Sequence, residues 1–149
     1  MADAKAQLDG FIGKFTPEIG RSTRAVLRKM RAILPGAVEL VYDNYNALAI
    51  GFGSGEKMKD IMFSIAVYPR WVSLFFAGGV KLKDPHKLLK GTGTKVRHIV
   101  LAGGAADLDK AEIRALMDQV VAKSDPIAGK RRLIIKAISA KQRPRRPQI

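Results

Sequence analysis

Residues 60 to 77 read Asp60-Ile61-Met62-Phe63-Ser64-Ile65-Ala66-Val67-Tyr68-Pro69-Arg70-Trp71-Val72-Ser73-Leu74-Phe75-Phe76-Ala77. Two runs rich in β-branched and aromatic residues, Asp60 to Tyr68 and Trp71 to Ala77, are parted only by Pro69-Arg70. They predict two strands joined by a tight turn, and so short a link makes them antiparallel neighbours. The same reading extends upstream. Ala37 to Asp43 and Asn46 to Phe52 have strand character, with turn chemistry at Asn44-Tyr45 and Gly53-Ser54-Gly55. Arg97 to Leu101 is a fifth candidate strand.

Helices bracket these strands. Thr16 suits an N-cap, Pro17 the first helical position and Pro35-Gly36 a stop, so Thr16 to Leu34 predicts a long helix. Ile19, Thr23, Val26, Leu27, Met30, Ile33 and Leu34 recur at three and four residues as one apolar stripe, and Arg21, Arg24, Arg28 and Arg31 form a basic stripe on the opposite face. Asp84-Pro85 is placed to cap a helix of one to two turns through Leu89, with Gly91 to end it. A second long helix is predicted from about Asp107 or Asp109 to Lys123, where Asp109 and Glu112 have capping-box spacing and Ile113, Leu116, Met117 and Val120 share a face. Helices flanking antiparallel strands predict an α+β domain: an antiparallel sheet of about five to six strands with two long helices packed on one face. At 149 residues and 47% hydrophobic composition the chain supports one core. Residues 1–124 are expected to form that domain, and residues 125–149 a basic C-terminal extension with a short strand and a disordered end.

The charge is large and uneven. There are 27 Lys and Arg against 13 Asp and Glu, a formal charge of +14, which favours anionic partners at long range. Half of the excess sits in Asp125 to Ile149, which holds eight basic residues and one acid. Within that tail, Arg131 to Ile138 is β-branched and bracketed by cations, predicting an edge strand, which also offers a pairing surface for a homo-oligomer. Gln142-Arg143-Pro144-Arg145-Arg146-Pro147 is expected to be extended and solvated. Arg143, Arg145 and Arg146 are therefore candidate polyanion contacts, with nucleic acid as one partner class. The opening Met1-Ala2-Asp3-Ala4-Lys5 lacks the pattern of a secretory signal, no apolar run has the length of a transmembrane segment, and Cys is absent. A cytoplasmic protein without disulfides or thiolate metal sites is expected.

No catalytic constellation emerges. Gly51-Phe52-Gly53-Ser54-Gly55 misses the Gly-x-Ser-x-Gly spacing of a nucleophile elbow and reads as a hairpin loop. The two histidines, His86 and His98, lie in different elements without metal-ligand spacing. Asp107, Asp109 and Glu112 are accounted for as caps and dipole complements of the last helix. Gly91-Thr92-Gly93-Thr94-Lys95 lacks the Gly-x-x-x-x-Gly-Lys-Ser/Thr pattern, yet Lys90, Lys95 and Arg97 around it form a candidate anion site beside His98. No catalytic residue, metal site or cofactor is expected.

Val41-Tyr42-Asp43-Asn44-Tyr45-Asn46-Ala47, Val72-Ser73-Leu74-Phe75-Phe76, and Leu88-Leu89-Lys90-Gly91-Thr92-Gly93-Thr94-Lys95-Val96-Arg97-His98-Ile99 resemble, in their order, the YdhG-like family of small domains, largely of unknown function. The resemblance spans roughly Phe15 to Val121. It implies a frataxin-like arrangement, and one branch of the family is regarded as intracellular iron chaperones. This chain departs from that role, because the helix that is acidic in frataxin-type iron handling carries four arginines here and only Glu18. The expected function is a non-enzymatic intracellular binding domain for an anionic small molecule or polyanion, with Tyr42, Trp71, Lys90, Lys95, Arg97 and His98 as ligand contacts. A frataxin-like iron chaperone is the alternative.

Overall fold

A helix that the sequence reading leaves out precedes Thr16. In the computed structural model, which describes residues 3 to 148, α1 (Ala4–Gly13) is capped by Asp3, whose carboxylate accepts the Ala6 amide at 2.8 Å, and it buries Leu8, Phe11 and Ile12. Those three residues have i, i+3, i+4 spacing, which was the available signal. Helix α2 (Pro17–Ile33) follows from its predicted start: the Thr16 hydroxyl accepts the Ile19 amide at 3.3 Å, and Pro17 occupies the first turn. Thr23, Val26, Leu27 and Met30 are buried along its apolar stripe.

Strands β1 (Val38–Asp43), β2 (Leu48–Gly53), β3 (Ile61–Val67), β4 (Val72–Phe76) and β5 (Arg97–Val100) form an antiparallel meander, and β6 (Arg132–Ile138) completes a six-stranded sheet of order β5-β4-β3-β2-β1-β6. The last strand corrects the expectation of an antiparallel sheet. It runs parallel to β1, from Val38↔Arg132 to Asp43↔Ile138, so the sheet is mixed. The reason lies at the entry point. Gly36, at φ 81°, brings the start of β1 against Gly129, so the chain enters β6 at the same end at which it enters β1.

Leu48, Ile50 and Phe52 on β2, Phe63, Ile65 and Val67 on β3, and Val72, Leu74 and Phe76 on β4 lie on one face by strand alternation. They share a single core with the buried residues of α1, α2 and α3 (Ala111–Ala122). Three helices, rather than two long ones, therefore contribute to it.

Three local expectations are also revised. Asp84 caps no helix: its carboxylate accepts the amides of Leu88 and Leu89, both at 2.9 Å, closing a loop in which Lys87 has φ 54°. The capping box of the last helix does not form. Asp109 is drawn instead to Lys29 of α2 at 2.8 Å and to Arg114 at 3.4 Å, after a 3-10 turn over Gly104–Asp109. The tail is not solvated throughout either, since Arg145 is 5% exposed. Its burial is possible because β1 supplies a buried carboxylate, Asp43, at 2.9 Å. Among the described residues no helix is long and apolar enough to cross a membrane.

Candidate functional site

One end of the sheet collects the β1–β2 turn, the β3–β4 turn and the exit of β6, because Asp43 pairs with Leu48 and Ile138, Leu48 with Val67, and Val67 with Val72. The β3–β4 turn is tight: the Tyr68 amide donates to the Trp71 carbonyl at 2.9 Å across Pro69-Arg70. That closure stacks the two rings that flank it, with centroids 4.8 Å apart and planes 21° from parallel. Trp71 nonetheless stays 42% exposed. Burial raises the Tyr68 hydroxyl above its ordinary pKa, so it remains a neutral hydrogen-bonding group at physiological pH.

The arm that leaves β6 folds back over this end. The Ser139 amide donates to the Asp43 carbonyl and the Arg143 amide to the Tyr45 carbonyl, each at 2.9 Å, and the Gln142 side-chain amide reaches the Asp43 carbonyl at 3.1 Å. Arg145 then turns inward. Its guanidinium meets the Asp43 carboxylate and lies 5.8 Å from the centroid of Phe15. Asp43 also takes Lys14 at 3.1 Å. Although burial would raise the Asp43 carboxyl, hydrogen bonding by Gln142, Lys14 and Arg145 and the charge of Lys14 outweigh it and hold the group below its ordinary value.

Anchoring Arg145 leaves its exposed neighbours at the surface. Arg143 and Arg146, with Arg70, Asn46, Tyr68 and Trp71, line a cavity of about 600 Å³ whose remaining walls include Pro69, Pro144 and Pro147. Among the described residues no acidic side chain lines it. Three guanidinium groups and a stacked aromatic pair thus face one volume. Such a site can stack a planar group on the indole while forked donors engage a phosphate or carboxylate.

The structure therefore brings Trp71, Arg143 and Arg146 together among the expected site residues. Arg145 is set beneath them as a buried strut, because its charge is spent on Asp43. The other candidates lie elsewhere. Lys90 and His98 exchange backbone bonds of 2.8 and 2.9 Å at the β5 edge, and the His98 ring stacks on Phe75 at 4.9 Å. Arg97 turns its guanidinium onto the carbonyls of Gly93 and Val96 in its own loop, while Lys95 stays exposed and its carbonyl accepts the Val80 amide at 3.1 Å. Tyr42 lies on β1, separated from β5 by three strands, and faces a shallow hollow of about 300 Å³ with Ser64 and Phe75. Tyr42, Trp71 and His98 do not converge. The sequence reading omits Tyr68, Arg70 and Asn46. The run Tyr68-Pro69-Arg70-Trp71 carried the signal, since a two-residue turn places its flanking rings side by side.

Comparison with protein-family models, curated proteins and solved structures finds no match to this chain.

Proposed function

We propose that this chain is a non-enzymatic intracellular binding domain whose ligand is planar and anionic, seated on Trp71 between Arg70, Arg143 and Arg146. The observation that carries the reading is the joint presence, in one cavity of about 600 Å³, of a stacked aromatic pair and three arginines without a lining carboxylate. The volume lies within the range of small-molecule sites. The same charge balance favours an anion over a metal cargo, so the iron-chaperone alternative gains no support from this site. The YdhG-like, frataxin-like resemblance of the sequence remains the background of the proposal.

Trp71 is the sole tryptophan, so its emission reports on the cavity directly. Titration with ATP is expected to quench that emission to saturation, and Arg143→Glu with Arg146→Glu is expected to weaken binding about tenfold or more by removing charge-assisted contacts. Emission that ignores ATP, or that responds equally to sulfate at matched ionic strength, would overturn the proposal.

A further inference from the structure

The basic stripe of α2 is not spent on solvent alone. Arg24, Arg28 and Arg31 of α2 face Lys5 and Asp9 of α1 and Arg131 at the approach to β6 across a groove of about 370 Å³. Below it, Glu39 is fully buried and serves two guanidinium groups at once: Arg31 at 2.9 and 3.0 Å, and Arg131 at 2.5 Å. One carboxylate shared by two cations leaves positive charge at the groove floor. Arg24 is half-buried, yet among the described residues its side-chain hydrogen bond runs to the Asp9 carbonyl at 3.5 Å, the limit of such a contact. Arg28 is exposed and has no carboxylate partner among the described residues. A partly desolvated guanidinium and an exposed one, both with donors to spare, are what an anionic chain would satisfy.

The groove and the aromatic pocket lie toward opposite ends of the contact between α1 and β6. Glu39 and Asp43 lie four residues apart on the same strand, a rise of about 13 Å, and they mark its two ends. At the first end stand Arg31 and Arg131; at the second stand Lys14 and Arg145, with Arg146 donating to the Lys14 carbonyl at 3.2 Å and lining the pocket. The α1 helix and β6 flank that path, with Lys5 near its start and Lys14 just beyond its end. The interval corresponds to about four steps of a stacked strand at roughly 3.4 Å each.

We infer that the ligand is single-stranded nucleic acid, with one base stacked at Trp71 and the backbone running along the α1–β6 seam into the arginine groove. This rests on the pocket reading given above and extends it. A single strand is favoured over a duplex because a duplex keeps its base faces stacked internally, out of reach of Trp71.

The test uses the full chain, ATP, and oligothymidylates of 4, 8 and 12 nucleotides, followed by Trp71 emission and by anisotropy of labelled oligomer. Affinity is expected to rise with length, the 12-mer binding about tenfold or more tighter than ATP through linked contacts. Its log-affinity should fall with log salt by about 0.7 per phosphate contact. Arg24→Glu with Arg28→Glu should remove the length advantage and lower the salt slope by about 1.4, that is, two contacts. Arg24→Gln with Arg28→Gln, checked by circular dichroism, repeats the test with smaller perturbation. If ATP quenches Trp71 but length and both groove variants have no effect, the extension falls and the pocket stands; if neither ATP nor oligomer binds, both fall. Equal affinity for a duplex of the same length, for heparin, for an acidic protein or for phosphatidylserine vesicles overturns the single-strand assignment.

Discussion

Asp43 shows how one side chain can decide the fate of a whole segment. It is fully buried, faces Lys14, Arg145 and Gln142, and has its pKa held below the ordinary value of 3.8. A carboxyl depressed in the folded state stabilises fully above its unfolded value and loses that contribution as pH falls through the lower folded one. Docking of the arm should therefore be constant from about pH 8 to 5 and loosen only below about 3.8. The emission of Trp71, which shares its cavity with the arm, checks this; a transition centred near neutrality would contradict it. Asp43→Asn leaves Arg145 without its counter-charge, a change that costs about 3 to 5 kcal/mol in buried pairs. The expected result is undocking of the arm and rapid tryptic cleavage after Arg145, because Arg143 and Arg146 precede Pro144 and Pro147 and trypsin does not cut Arg–Pro bonds. Unchanged protease resistance would refute this. In the sequence Arg145 carries the same charge as Arg143 and Arg146 and differs only in not preceding a proline, which does not mark it for burial. Its burial is set by a carboxylate 102 positions away.

At the scale of elements, what was legible was local. Helix α2 carried its own cap, first-turn proline and stop, and β1 to β4 carried β-branched runs with turn residues between them. Helix α1 was legible in Asp3, Leu8, Phe11 and Ile12, but it is only 10 residues long, and short helices depend on packing for most of their stability. The Asp84 segment had the same capping residue and lost to side-chain bonds that close a loop, a competition that propensity does not resolve. The junction of α2, β1 and the segment entering β6 provides a direct test. A Cβ on Gly36 would lie 2.5 Å from the Gly129 carbonyl oxygen at a backbone φ of 81°, whereas a Cβ on Gly129 meets nothing within 4 Å. Gly36→Ala is expected to cost about 1 to 3 kcal/mol, read as a drop of several degrees in melting temperature, with Gly129→Ala close to neutral. Equal effects of the two substitutions would show that the segment entering β6 does not cross Gly36 in this way.

For the whole molecule, a charge of +14 on 149 residues means that self-repulsion opposes the compact state. Raising NaCl from about 0.01 to 0.2 M shortens the screening length from roughly 30 Å to below 10 Å. Melting temperature should rise over that range, because the Asp43 and Glu39 carboxylates are buried and the Arg145–Asp43 pair is buried on both sides, so salt screens these contacts less than the long-range repulsion. A fall would show that exposed ion pairs dominate instead. Composition alone determined the sign of the ligand's charge in the proposed function, and periodicity with turn chemistry determined an α+β chain with a meander at its centre. Those properties depend on residues within a few positions of one another. Tertiary structure decided the direction of β6, which tail arginines face solvent, and the meeting of Trp71 with Arg143 and Arg146. Each of these depends on which distant backbone segments lie side by side, and that is set by the burial of one shared core and of two carboxylates on β1.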